Sequence, residues 1–184
     1  MFDFGRKIGV LGGVLRSPVT RPRFLQHCRA EGVLGAAAGL MCCGQYRHQP
    51  DLKRGMALRA LLVRGAEGRG LVPASLVEAI HGQLIRGLTS PSLFDGAIDV
   101  LGQGLADVLL RFSFAEAALA YDRRPEERYG VFEGASGWAE GVSAVVPRSP
   151  LLPSPGPGFV WPAAWAEWVA ALKGAGFNTR IMEM

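Results

Sequence analysis

His27, Cys28, Cys42, Cys43 and His48 carry the nitrogen and sulfur atoms that a tetrahedral zinc site uses, within one short stretch of chain. Their spacing argues against that chemistry. Adjacent Cys42 and Cys43 point about 100° apart on a helix and to opposite faces on a strand, so both cannot aim at one ion. No CxxC pair occurs and three cysteines make no even disulfide framework, which reads as small apolar thiols in a reducing compartment. No metal and no cofactor is expected.

Nucleophilic and acid–base chemistry find as little support. The histidines His27, His48 and His81 have no acid and Ser or Cys beside them in a recognisable signature, and there is no GxSxG elbow. Glu126, Glu127, Glu133 and Glu140 supply carboxylates, but the first two lie in DRRPEER among Arg123, Arg124 and Arg128, as on a solvated helix end. Gly65, Gly68 and Gly70 lack both the Lys-Ser/Thr of a P-loop and the order of a dinucleotide fingerprint, so they read as a connection. Asp95 and Asp99, one helical turn apart, lack a second acidic motif with which to hold a divalent ion. No catalytic residue is assigned.

Two features carry binding chemistry. Trp161, Trp165 and Trp168 recur at i, i+4 and i+7 and therefore share one helical face, an aromatic row suited to docking on its own domain or on another chain. These three are the expected partner-binding residues. Arg16, Arg21, Arg23 and Arg29 belong to a basic N-terminal region, in which seven Lys/Arg face two acids over the first fifty residues. Between Arg16 and Gln49 only Phe24 and Tyr46 are there to stack on bases, so the chemistry of these arginines would be phosphate contact without base reading.

The elements that must position these groups follow from composition and pattern. A chain of 184 residues with 49% hydrophobic and 20% charged side chains is neither disordered nor fibrous, and its 25 Gly and 12 Pro favour several short helices. The expected fold is mainly α: a multi-helix globular domain over 1–146, a proline-rich linker over 147–160, and a C-terminal helix and tail over 161–184. Five prolines between Pro147 and Pro157 make the linker extended and give it PxxP spacing. Minor β structure is expected near 129–146 and 177–182, the latter as a terminal strand or an extended docking arm.

Within the helical domain, one helix is expected from Pro22 through Cys43, with Gly32, Gly35 and Gly39 along a bare face that admits close packing. Met56 to Val63 fits a helix beginning at Asp51 or a buried strand, which periodicity alone does not separate, and the helix is the expectation. Ser75, Ser92 and Ser113 each stand three residues before an acid at the start of an apolar run, which predicts capped helices over 74–88, 91–111 and 113–123. Along 91–111, Asp95, Asp99, Gln103, Asp107 and Arg111 step by four opposite the apolar face and read as a solvated stripe. The longest charge-free apolar run, Val33 to Cys43, is shorter than the ~18 residues a bilayer span needs, and a cytoplasmic protein is expected. The functional expectation is a non-catalytic helical accessory subunit of a larger assembly, docking on a protein partner through its aromatic C-terminal helix. The alternatives are a nucleic-acid-binding protein using the N-terminal arginines, and an enzyme with no recognisable local motif.

Overall fold

The computed structural model describes residues 4–65, 70–122, 164–180 and 182. Among these the regular structure is entirely helical: α1 (Phe4–Arg16), α2 (Thr20–Ala30), α3 (Leu34–His48), α4 (Leu52–Arg64), α5 (Ala74–Ile85), α6 (Asp95–Asp122) and α7 (Ala164–Gly174). The mainly α class holds. Among the described residues of 177–182 none forms a strand, while 129–146 and the 147–160 linker lie outside the described residues. None of the described helices is long and apolar enough to cross a membrane.

The core is built around α3. Leu34 to Gly39, Met41, Cys42 and Cys43 are all buried, so this helix is enclosed by α2, α4 and α6 on different sides. Such enclosure requires a thin helix, which its run of Gly, Ala and Cys provides. A Cβ on Gly39 would lie 3.3 Å from Leu101 Cδ1 and 3.6 Å from both Leu62 Cδ2 and Leu71 Cδ1, so leucines from three directions close over bare backbone. α1 and α2 pack on α6, α4 and α5 pair, and α7 lies against α4. The pair is antiparallel: Leu71 N–H donates to Leu62 O at 2.8 Å beside the connection, and Gly55 meets Leu84 near the other end.

The single helix expected over 22–43 is two. Gly32 adopts φ 71° after α2, Val33 N–H donates to Cys28 O at 2.8 Å and Gly32 N–H to Arg29 O at 3.0 Å, the pair of bonds that closes a helix end on a left-handed residue. Gly32 therefore breaks the chain where Gly35 and Gly39 line its packing face.

The serine caps are also corrected. Ser75 is the second residue of α5, and Pro73 stands at its N-cap with no side-chain bond. Ser92 lies in the turn ahead of α6 and shares a 2.8 Å hydrogen bond with Ser90 Oγ. Ser113 lies inside α6, its Oγ donating to Leu109 O at 2.8 Å, so the hydroxyl is satisfied by the helix it was expected to start. The helices expected over 91–111 and 113–123 accordingly run as one. The cap that does form is Asp51, whose Oδ1 accepts Arg54 N–H at 3.0 Å and starts α4 as expected, a bond worth about 1 kcal/mol.

Candidate functional site

Trp165 and Trp168 are partly buried against the core of their own chain, and Trp161 lies outside the described residues. The segment after α7 continues this intramolecular docking. Gly176, at φ 89°, ends α7 and turns the chain back, so that Phe177 N–H reaches Leu172 O at 3.1 Å. Arg54 of α4 donates to Gly176 O at 2.7 Å and holds its guanidinium 5.6 Å above the Phe177 ring. Gln45 of α3 reads the backbone of Asn178 at two points, accepting its N–H at 2.7 Å and donating to its C=O at 3.2 Å. Phe177, Thr179 and Met182 are buried, and Met182 N–H donates to Thr179 O at 2.8 Å, so the described tail residues turn back on the chain.

The four N-terminal arginines are dispersed in their use. Arg23 pairs with Glu116 of α6 at 2.6 Å, and Arg16 Nε donates to Gly12 O of its own helix at 3.0 Å. Arg29 is exposed and Arg21 is half-buried.

A buried ionic cluster is the feature that the pattern concealed. Arg111, read as part of a solvated stripe, is only 2% exposed. Its Nε donates to Glu31 Oε1 at 2.7 Å and its Nη2 to Oε2, a two-point pairing between the end of α2 and the middle of α6. His27, which showed no catalytic signature, lies one turn before Glu31, with Nε2 3.1 Å from Oε1. Its ring also tilts against Phe112 at 5.7 Å. Burial acts to raise the Glu31 carboxyl, but hydrogen bonds from Arg111 and His27, together with their charges, outweigh it and hold the group at about 2. The arrangement is a staple: a carboxylate fixed at both oxygens and fully ionised near neutral pH. Two signals marked it in sequence, the i, i+4 spacing of His27 and Glu31 and the position of Arg111 three residues after buried Val108.

The thiols are buried apolar groups, as their spacing suggested. Burial pushes Cys28 and Cys43 well up and Cys42 up to about 12. Among the described residues no three His, Cys, Asp or Glu side chains gather as metal ligands. Tyr46 is raised by burial and by the nearby charge of Asp51, and its ring meets Phe94 edge-on at 4.7 Å.

Among the described residues, the exposed large apolar side chains are Val10, Val19, Leu110, Phe114 and a row of five on the α4–α5 hairpin. Leu52, Met56 and Val63 are 48%, 40% and 39% exposed, and Ile85 and Leu88 at the end of α5 are 69% and 51% exposed. At 100° per residue the three on α4 fall within about 40° of one another, and the antiparallel pairing places Ile85 and Leu88 beside the Leu52–Met56 end. Sequence reasoning missed this row, because Met56 to Val63 was read only as an element and not for which of its faces stays uncovered.

Compared with known protein families, with curated proteins and with solved structures, the chain matches none.

Proposed function

We propose that this protein is a non-catalytic helical accessory subunit of a larger assembly. The observation that supports the reading is the uncovered apolar row of Leu52, Met56, Val63, Ile85 and Leu88, since a soluble domain gains nothing by keeping such side chains together in water and a partner gains their burial. The aromatic C-terminal helix enters the proposal as the inner half of the docking scheme. Trp165 and Trp168 fasten α7 to the chain's own core, and α7 with its tail braces the side of α4 away from the row.

The division of labour is tested by one substitution read in two assays. Trp165→Ala removes a large, partly buried ring, and the isolated protein should lose about 2–3 kcal/mol in denaturant unfolding. The assembly purified from source cells should still form at temperatures where the variant is folded. An isolated protein that melts normally while the assembly is lost would place Trp165 on the partner's side instead.

A further inference from the structure

Resting on this reading of the α4–α5 row, we infer that its partner is an acidic amphipathic helix, which lays an apolar face on Leu52, Met56, Val63 and Ile85 and brings carboxylates to Arg59 and its neighbours.

The argument starts from two unpaired polar groups inside the apolar row. Arg59 Nε and His81 Nδ1 are shielded from solvent and meet no hydrogen-bond partner, and among the described residues neither side chain makes an ion pair. They stand at the same level of the hairpin. A Cβ on Gly55 would lie 2.6 Å from Leu84 Cδ2, which fixes the register, and one turn onward along α4 and one turn back along α5 lead to Arg59 and to Ile80–His81. On the α4 wheel Arg59 falls between the buried face and the row formed by Leu52, Met56 and Val63.

A guanidinium nitrogen without an acceptor is costly to shield from water, and a carboxylate seated there would offset that cost with a charge-assisted bond. The rim carries the same sign. Lys53, Arg64 and Arg86 are exposed around the row, against exposed Glu78 and an Asp51 already engaged as cap and in contact with Arg54. An apolar row with a cationic rim and a cation at its edge is complementary to a helix that is apolar on one face and acidic beside it. An anionic lipid surface offers mobile headgroups in a plane, whereas a helix holds its carboxylates at fixed spacing beside one apolar face, as a narrow row with a cation at its edge requires.

The test uses the full chain, isotope-labelled at methionine and isoleucine methyls, and three probes. These are an 18-residue helical peptide with leucines on one face and glutamates flanking it, the same peptide with lysine for every glutamate, and vesicles of phosphatidylserine and phosphatidylcholine. The acidic peptide should shift the Met56 and Ile85 signals, with affinity falling at least fivefold on Arg59→Gln and to nothing on Met56→Glu. Both variants should unfold within a few degrees of the parent, and Arg86→Gln serves as a fully exposed second variant with a smaller loss. If the lysine peptide shifts Met56 and Ile85 as strongly, the acidic partner is overturned while the row stands as a docking face. If neither peptide does so, or if the vesicles alone do, the helical partner is overturned.

Discussion

Replacing Glu31 by Ala should destabilise the protein by about 3–5 kcal/mol in equilibrium denaturation, because it leaves the Arg111 guanidinium buried without the carboxylate that faces it. The loss belongs to the broken two-point pairing, and a comparison separates it from lost packing. Exchanging both partners for apolar residues, Glu31→Leu with Arg111→Met, should recover a large share of the stability, since two apolar side chains of similar volume need no compensation. A drop below about 1 kcal/mol for Glu31→Ala would mean that the pairing adds little. The same carboxyl sets an acid limb. Its folded value of about 2 lies below the ordinary 4.5, so its contribution is complete above about pH 4.5 and is lost as pH falls through the range towards 2. The melting temperature of the parent should fall over that range, and that of Glu31→Gln should fall less steeply.

Phe177→Ala should cost about 3 kcal/mol or more, although the residue lies beyond the last helix and near the chain end. The ring is buried, it lies beneath Arg54, and it follows the turn at Gly176 that brings Asn178 to Gln45. Removing it opens a cavity and takes away the stacking surface of an arginine that also anchors Gln49, with Arg54 Nη1 donating to Gln49 Oε1 at 2.6 Å. The effect should appear in the single cooperative transition of the isolated protein. If the variant melts as the parent does, the tail is not part of the folded unit.

Much of the fold was legible from residue chemistry. The start of α4 at Asp51 could be read, though not the cap its carboxylate makes, and the close approach at Gly39 could be read because a helix bare on one face invites a neighbour. The serines misled because their hydroxyls bond equally well to the carbonyl four residues back, as Ser113 does within α6. Gly32 and Gly39 are the same residue in opposite roles. One ends a helix through a positive φ and the other lets leucines approach, and only tertiary packing distinguishes them. Arg111 was misread for a similar reason: a four-residue step names a face, but whether that face meets water or Glu31 depends on the helix opposite. The spacing of Trp165 and Trp168 placed them on one face of a helix, and both do lie in α7. That Trp165 and Trp168 turn inward depends on what covers α4, which no local pattern encodes.

The central claim, that the α4–α5 row is the face through which this protein joins its assembly, is met most directly by oxidative footprinting. The isolated chain and the assembly purified from source cells are exposed to hydroxyl radicals, and modification is read residue by residue. Leu52, Met56, Val63 and Ile85, all exposed in the isolated chain, should be protected several-fold in the assembly, while Val10 and Val19 at the N-terminal helices should be modified equally in both. Equal modification of the row in both samples, with protection confined to the surface around Arg16, Arg21, Arg23 and Arg29, would contradict the claim.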